Sequence, residues 1–381
     1  MTQATERART SGGAGNATPE VRVALIGPSF FSYVQAIAAA FRERGVSVTV
    51  FDEKHSNRPL AKLLYRLGLQ RHRWSPSARH LDTIHAELRA GRATDVFLIN
   101  TEAANRGFVE GLKAEGMRVH LYMWDGVANK PGFVALLDTV DSRASFDPRD
   151  CERFGMDYIP LFAEPLFEQA GRAAGETPEY DISFCGTVHS SRTVIVARLI
   201  EAARNKAARV GLMLYYHSRA LLYAKGIVQS AVWRIAPAVS FQSFGKTDIA
   251  RMFAASRMVL DVPHPGQTGL TARTFEVLAG GVRLLTTNDR TRELLPRSFS
   301  DRIVVIGGID EALALDFETL GPLPRLTAEQ RYYLSLDRFV DALIAMAGIA
   351  PVPKPVEAVA KAGVDGLPDS AGSRQSGQLA N

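Results

Sequence analysis

The sequence predicts an α/β protein with two domains, each built on a parallel sheet. Two observations support this class. Short apolar runs alternate with helical patterns along most of the chain, as they do where helices connect parallel strands. The 381 residues also exceed one domain of ordinary size and suffice for two domains that each bury a core.

The first domain is predicted over residues 21–165. Its opening run, 21–27, is continuously apolar, as expected of a strand covered on both faces. A helix over 33–44 and a strand over 46–51 complete a strand–turn–helix–strand unit typical of Rossmann-like folds. Three further strands and one helix follow in this domain: strands 95–100, 119–124 and 142–146, and helix 106–115.

The second domain is predicted over residues 178–325, after a linker at 162–178. Its elements alternate in the same way: strands 181–185, 210–216, 258–262, 283–287 and 303–306, and helices 192–204, 221–237 and 247–255, with a further short helix that ends at the Gly280 and Gly281 pair. A final helix over 327–347, within the segment 326–348, is expected to return to the first domain. Residues 1–20 and 351–381 lack any core-forming pattern and predict a disordered leader and tail.

The stretch 267–281, QTGLTARTFEVLAGG, is the strongest indication of function. A loop rich in glycine, amide and hydroxyl groups leads directly into a short helix. The start of a helix presents unpaired N–H groups and a positive dipole end, which suits a diphosphate. We expect the loop to contact that diphosphate through four residues: Gln267, Thr268, Gly269 and Thr271.

Two charged residues lie one turn apart on the same helix. Glu276 can accept two hydrogen bonds from a ribose diol, as acidic residues do in other nucleotide sites. Its alternative is a solvated helix glutamate, which the glycines on both sides make the weaker interpretation. Arg273 can bind a phosphate with two parallel hydrogen bonds or form an intrahelical ion pair with Glu276, and the sequence leaves both open.

This stretch resembles the nucleotide-binding motif of GT-B glycosyltransferases, in which a Glu that begins Glu-x-Leu/Met-Ala-x-Gly contacts the ribose of a sugar nucleotide. Residues 267–288 resemble the CgeB-like bacterial glycosyltransferases more closely. Three other segments fit the same family: 122–125, 145–150, and 181–186 followed by Arg192. One position departs from the retaining GT-B pattern, because Thr268 stands where many of these enzymes carry a second Glu.

The resemblance implies two facing Rossmann-like domains with a cleft between them. The second domain would hold a UDP- or GDP-linked sugar donor, and the first a saccharide or lipid-linked acceptor in surface-polysaccharide synthesis. It implies retention of configuration and a nucleotide sugar as co-substrate without further cofactor. It also implies that Arg192, in the loop after Gly186, binds the diphosphate, and that the Gly27 and Ser29 turn faces the acceptor or a donor phosphate.

Several other residues are weaker candidates. Asp125 ends an apolar strand, where it is either a base for an acceptor hydroxyl or a helix cap, and the cap is favoured. His189 could contact the sugar or phosphate, and His264 precedes the 267–271 loop, although lone loop histidines are more often only exposed. Asp147 is interpreted as the N-cap of a helix with Pro148 at its first position.

The net charge, the pI and the cysteine content limit the classes of binding partner and the cell compartment that we expect. The net charge of +5 and pI near 9.2 fit anionic donors or loose contact with an anionic membrane surface. Scattered cations without a recognition motif argue against nucleic acid, although the basic stretch 66–79 could meet an acidic or lipid-linked acceptor. Two cysteines without metal spacing, and no signal-peptide or membrane-spanning run, predict a cytoplasmic protein whose membrane contact would be peripheral and at the inner face.

Missing motifs exclude other classes. The chain has no P-loop, no Gly-x-Ser-x-Gly elbow, no His-x-x-x-His pair and no Asp-x-Asp, so no metal is expected. Two rivals to a glycosyltransferase are kept. One is a catalytically silent relative that binds a glycan or a protein, which the Thr268 departure favours. The other is a Rossmann-type NAD enzyme, which the single glycine of the first turn disfavours.

Overall fold

The protein folds into two parallel sheets, each flanked by helices. The computed structural model describes residues 21–28, 32–54, 76–175, 177–187, 192–206, 208–264, 266–308, 311, 314 and 319–350, with only the backbone at 76, 192 and 202–206. The leader 1–20, the tail 351–381, Ser29, His189 and most of the basic stretch 66–79 lie outside these residues.

The first sheet has six parallel strands in the order β2-β1-β3-β4-β5-β6. The central strand β3 is entirely buried and β4 is buried except at Arg118, its first residue, which explains why their sequences are mainly apolar rather than alternating. The strand β1 lies between its two partners with Val23 opposite both Val48 and Asp95. The strand bounds are β1 Arg22–Gly27, β2 Ser47–Asp52, β3 Asp95–Ile99, β4 Arg118–Met123, β5 Ser142–Ser145 and β6 Asp157–Tyr158.

Among the described residues, four α-helices connect these strands. Side chains just before two of them satisfy the free N–H groups of the first turn: Asn105 accepts from Phe108 and Asp147 from Arg149. The helices are α1 Tyr33–Arg42, α2 Pro76–Ala90, α3 Arg106–Ala114 and α4 Pro148–Phe154, with a 3₁₀ turn at Pro131–Leu136.

The second sheet also has six parallel strands, in the order β12-β11-β10-β7-β8-β9. The central pair β7 and β10 aligns Ile182 with Met258. The chain crosses the sheet between them, so the strand order changes direction beside β7. Crevices at such a switch, outside the carboxyl ends of the strands, are where α/β sheets bind ligands. The bounds are β7 Tyr180–Thr187, β8 Val210–Tyr215, β9 Val239–Ser240, β10 Ser256–Asp261, β11 Arg283–Thr286 and β12 Ile303–Val305.

Nine α-helices belong to the described part of the chain after the first sheet. Two of them end the described chain, and α5 lies between the sheets. Their bounds are α5 Pro165–Ala173, α6 Arg192–Lys206, α7 Arg219–Val228, α8 Ala231–Ile235, α9 Lys246–Ala254, α10 Ala272–Ala279, α11 Thr291–Leu294, α12 Ala328–Leu334 and α13 Leu336–Met346. In this described part, no helix has the length and apolar character needed to cross a bilayer.

One apolar cluster runs without a break from the first sheet to the second. It joins Phe41 and Tyr122 of the first domain to Phe275 of the second through Phe162 and Phe339. Two separate clusters cover the opposite faces of the sheets. The two domains therefore share a hydrophobic core, and this core supports the cleft between them.

The last helix packs on the first domain. Its residues Asp337 and Asp341 pair with Arg44 of the α1 C-terminal end at 3.2 and 2.8 Å, and the Arg44 side chain is only 3% exposed. Arg118 donates to the Ala347 carbonyl at 2.9 Å. These contacts tie the end of the described chain back to the domain where it began.

Three segments contain more secondary-structure elements than the sequence predicted. The expected linker 162–178 contains α5, which packs against α9 and α10. The expected final helix is two helices, because Ser335 is extended and caps α13 by accepting from the Arg338 N–H. The helical stretch 221–237 breaks after Val228, where Gln229 adopts an extended conformation.

Candidate functional site

The loop before α10 is held by the end of β10. Thr271 caps α10 by accepting from the Thr274 N–H, and its hydroxyl donates to Asp261 at 2.6 Å. The Thr274 hydroxyl donates to the same carboxylate oxygen at 3.1 Å. At the other end, Gly281 takes a φ of +74°, which terminates the helix at little cost. The start of α10 is thus fixed in position before any ligand arrives.

Glu276 faces the first domain from the second turn of α10. It is 8% exposed, yet it lines the cleft between the domains, and the Tyr33 hydroxyl donates to its Oε1 at 3.1 Å. Burial raises the pKa of Glu276, although the charge of Arg273 and the bond from Tyr33 act in the opposite direction. Oε2 makes no hydrogen bond with the described residues, so the carboxylate retains capacity to accept from a ligand.

Arg273 projects a guanidinium into the same cleft without a matching acceptor. Its Nε is buried and forms no hydrogen bond with any described residue. The guanidinium carbon lies 5.8 Å from the ring centres of both Phe184 and Phe253. Gly186 lies beside it, where a Cβ would be 3.9 Å from an Arg273 nitrogen and only 3.1 Å from the Phe184 ring. An unsatisfied buried cation of this kind is a ready site for an anion.

The cleft forms a cavity of about 770 Å³, a size that suits a nucleotide with a sugar attached. The first domain and the α5 region contribute one wall, mainly aromatic. The second domain contributes the other, with most of the polar groups. The residues facing this cavity include Tyr33, Trp124, Asp125, Phe146 and Phe162 on one side, and Gly186, Thr187, Met213, Tyr215, Phe244, Lys246, His264, Gln267, Thr271, Arg273 and Glu276 on the other.

Three apolar or aromatic residues of the cavity lining were not identified from the sequence. Met213 and Tyr215 lie at the carboxyl end of β8, and Phe244 precedes α9. An apolar and aromatic lining of this kind suits a nucleobase. The available signal was the position of Met213 and Tyr215 at the end of a predicted parallel strand, where ligand sites gather.

Tyr33 and Lys246 connect the two walls and were also missed. The Lys246 ammonium lies 4.0 Å from the centre of the Tyr33 ring and pairs with Glu164. Burial, with the neighbouring Glu276 charge, raises the pKa of Tyr33 far above its usual range, so its hydroxyl remains protonated and donates to Glu276. No local sequence pattern indicates a contact between residues 33 and 276, which lie 243 positions apart.

The loop residues Thr268 and Gly269 contradict the expectation that they contact a diphosphate. Both backbone N–H groups donate to Asp147 of the first domain, at 2.7 and 3.2 Å, and the Thr268 hydroxyl donates to it at 2.6 Å. A Cβ at 269 would lie 2.4 Å from the Phe146 carbonyl, so Gly269 is required for packing. These donors bind a protein carboxylate and are not free for a ligand.

Asp147 therefore does more than cap α4. Its Oδ1 accepts from the Arg149 N–H at 3.0 Å, as the sequence predicted, and both oxygens also hold the 267–269 loop. Gln267 and Thr271 both line the cleft, but the Thr271 hydroxyl is likewise engaged by Asp261.

The predicted site residues of the first domain differ in whether they line the cleft. Asp125 lines the cleft, accepts from Asn100 at 3.0 Å, and lies 3.6 Å from the Lys130 ammonium. Gly27 does not line it; a Cβ there would lie 2.8 Å from the Ile99 carbonyl, so close packing accounts for this glycine. Ser29 cannot be compared because it lies outside the described residues.

The loop after β7 is only partly described. Gly186 lines the cleft next to Arg273, and Arg192 begins α6, which places its backbone at a helix start. Its side chain and all of His189 lie outside the described part. A second cavity of about 450 Å³ adjoins this region and shares His264 and Gln267 with the cleft.

Comparisons with known proteins show the fold. No family model matches the chain, and neither does any curated protein. Among solved structures, a trehalose-6-phosphate synthase studied for glycosyl transfer with retention matches with a TM-score of 0.54 at 12% identity, covering 86% of this chain and 99% of its own. The apo lipopolysaccharide outer core galactosyltransferase WaaB matches with a TM-score of 0.50 at 10% identity, with the same two coverages.

A third neighbour is the UDP-GlcNAc 2-epimerase of Neisseria meningitidis bound to UDP-GlcNAc, with a TM-score of 0.50 at 8% identity over 86% of this chain and 99% of that one. Together with the two six-stranded parallel sheets, these neighbours confirm the predicted GT-B fold. The nearer resemblance to the CgeB-like family remains a prediction.

Proposed function

We propose that the protein is a glycosyltransferase that moves a sugar from a UDP- or GDP-linked donor to a saccharide or lipid-linked saccharide. The observation that carries this proposal is that Glu276 and Arg273 line the same inter-domain cleft of about 770 Å³. The Nε of Arg273 has no hydrogen-bond acceptor among the described residues. One group suits a ribose and the other a diphosphate, at the spacing that a single helical turn imposes.

The donor would lie along the carboxyl ends of the second sheet. Its base lies against Met213, Tyr215 and Phe244, and its ribose hydroxyls donate to Glu276. The diphosphate then meets Arg273 and the amino end of α10. The sugar points toward His264 and Gln267, where the cleft joins the second cavity.

Stabilisation of the leaving group is the main chemical task in this arrangement. Negative charge develops on the departing diphosphate, and a fixed cation in a dry cleft offsets it without a metal ion. Arg273 is the described cation in that position, and we assign the same role to Arg192, with His189 beside the sugar. Asp125 faces the cleft from the acceptor domain and is our candidate base for the acceptor hydroxyl.

We further propose that transfer retains the anomeric configuration and serves surface-polysaccharide assembly in the cytoplasm. The CgeB-like segments support this context. Among the fold neighbours, the trehalose-6-phosphate synthase was studied for glycosyl transfer with retention, and WaaB is a lipopolysaccharide outer core galactosyltransferase.

The test uses purified protein and a panel of UDP- and GDP-sugars. A donor at a hundredfold excess over its dissociation constant should stabilise the fold by roughly 2.7 kcal/mol, which a thermal-shift screen detects. The stabilising donor is then incubated with oligosaccharide acceptors, and mass spectrometry follows the products. A glycosylated acceptor supports the proposal. Conversion of UDP-GlcNAc to its 2-epimer, or binding with no turnover on any acceptor, contradicts it.

A further inference from the structure

Helix α7 has an apolar outer face. Five of the eight large hydrophobic side chains that are exposed among the described residues lie on α7 and α8, a surface that we call the α7–α8 patch: Leu221, Tyr223, Ile227, Val228 and Trp233. Ile227 and Val228 are 84% and 90% exposed. The concentration of these residues in two short helices sets this surface apart from isolated exposed hydrophobic residues.

The core does not need these side chains. Leu222 and Gly226 form the buried face of α7, and Val232 and Ile235 that of α8. The helices are therefore amphipathic with a second apolar face turned to solvent. Helices that are apolar on more than the core side usually have a further apolar neighbour.

The patch is held rigid. The rings of Tyr223 and Trp233 stack with their centres 5.6 Å apart and an interplanar angle of 14°. The Trp233 indole N–H donates to the Gly226 carbonyl at 3.0 Å, and a Cβ at 226 would lie 2.8 Å from that ring. The aromatic pair is thus fixed on the surface before any partner binds, which lowers the entropy lost on docking.

The surroundings of the patch are cationic. Between Glu201 and Asp248 the sequence contains no Asp or Glu. Its cations in that interval are Arg204, Lys206, Arg209, Arg219, Lys225, Arg234 and Lys246. Three of them, Arg219, Lys225 and Arg234, are on the same two helices as the apolar residues.

We propose that the α7–α8 patch docks on an anionic lipid bilayer. Apolar side chains and an aromatic pair flanked by Lys and Arg are the composition of interfacial helices, which insert their apolar face just below the headgroups. The Arg and Lys side chains then extend to the lipid phosphates. The patch begins six residues after Tyr215, which lines the cleft, so docking would bring the donor side of the cleft close to the bilayer.

Charge argues against a second copy of the chain as the partner. A two-fold interface brings the same patch of both copies together. Among the described residues Arg234 pairs with Glu201 at 3.2 Å, but Arg219 and Lys225 form no ion pair, so a second copy would set uncompensated cations of the same patch against each other. An anionic bilayer compensates both at once.

Vesicle co-sedimentation of the full chain tests the proposal, without donor or acceptor, so its result does not depend on the activity of the cleft. We expect binding to phosphatidylcholine vesicles that contain phosphatidylglycerol, and much weaker binding to phosphatidylcholine alone. The double variant Ile227→Ser, Val228→Ser should bind roughly tenfold more weakly. The control Tyr332→Ser removes a side chain that is 50% exposed elsewhere and should bind like the wild type.

Charge is tested separately. Arg219→Gln and Arg234→Gln should each weaken binding to the anionic vesicles by about fivefold, and raised salt should weaken the wild type. Each variant is first compared with the wild type by thermal unfolding, so that a misfolded protein is not scored. Equal partitioning of the double variant and wild type would overturn the proposal. So would absence of vesicle binding together with self-association that the double variant abolishes in analytical ultracentrifugation.

Discussion

A buried carboxylate and a buried guanidinium lie one turn apart on α10, and the acid is the one whose chemistry depends on pH. Burial raises the pKa of Glu276 above its ordinary 4.5, against the opposing charge of Arg273. A raised pKa in the folded state means that this group favours folding most at low pH, and that this contribution is lost as pH rises through the folded pKa. The ionised form of Glu276, which accepts hydrogen bonds best, therefore exists in this site at some cost in stability.

Donor affinity should fall as pH drops from 7 toward 5. A protonated Glu276 loses an acceptor for the ribose, and its raised pKa moves this loss above the range of an exposed glutamate. UDP-glucose is a suitable probe because its phosphates do not titrate in this range. Calorimetric titration at several pH values measures the effect.

The variant Glu276→Gln should bind more weakly than wild type at pH 7 and show little further pH dependence. Glu293→Gln is the matched control, since Glu293 is exposed and its bond with Arg290 lowers its pKa. The same slope in wild type and Glu276→Gln would contradict the assignment.

Arg273 should prove to matter more for binding than for stability. Its Nε is buried without an acceptor, but its charge offsets that of the buried Glu276, so Arg273→Met should lower the thermal unfolding temperature at pH 7 and do so less at low pH, where Glu276 is protonated. Donor affinity should fall roughly 10- to 100-fold, the loss expected for hydrogen bonds to a charged phosphate. Arg251→Met on α9, where the Arg side chain is 68% exposed, is the control for removing a cation. A large loss of stability with unchanged affinity would show a structural role.

At the scale of elements, Asp147 joins α4 to the loop before α10. Replacing it with Ala leaves the N–H groups of Thr268, Gly269 and Arg149 without their acceptor in a position that is 2% exposed. We expect a loss of about 2–4 kcal/mol in unfolding free energy. Denaturant unfolding measures it, with Glu152→Ala on the exposed side of α4 as the control. If both variants unfold alike, the bonds across the domains contribute little.

The contact of α5 with α10 allows no side chain at Gly171. A Cβ there would lie 2.2 Å from the Gly280 carbonyl, whereas one at Gly175 would meet nothing within 4 Å. Gly171→Ala should destabilise the protein by about 1–3 kcal/mol through overpacking, and Gly175→Ala should be close to neutral. Thermal unfolding of the two variants measures the difference. Equal midpoints would mean that the two helices can separate without cost.

The secondary-structure elements could be predicted from the sequence more fully than the tertiary contacts between them. Continuous apolar runs such as 96–99 predict buried parallel strands because both faces are covered, and the α/β class and the GT-B fold are confirmed. The break at Ser335 and the short strands β6 and β9 depend on tertiary contacts that no local period records. The resemblance to GT-B enzymes supplied the pairing of the domains, which periodicity alone does not.

In the functional site, too, the local spacing of residues could be predicted and the long-range contacts could not. Residues on one helix keep a known spacing, so Arg273 and Glu276 could be assigned to one face from the sequence, and both line the cleft. The use of Thr268 and Gly269 could not be predicted, because their partner Asp147 lies 121 positions from Thr268. Tyr33 and Lys246 were missed for the same reason, since long-range contacts decide what an exposed-looking polar residue does.

For the molecule as a whole, the shared apolar cluster and the α13 contacts hold two sheets around one cleft. The central claim is that this cleft binds a sugar nucleotide through Glu276. Calorimetric titration of wild type, Glu276→Ala and the control Glu293→Ala with the donor selected by the thermal-shift screen tests it most directly. The account predicts roughly 10- to 100-fold weaker binding for Glu276→Ala with an unchanged unfolding temperature, and wild-type binding for Glu293→Ala. Equal donor affinity in all three proteins would contradict it.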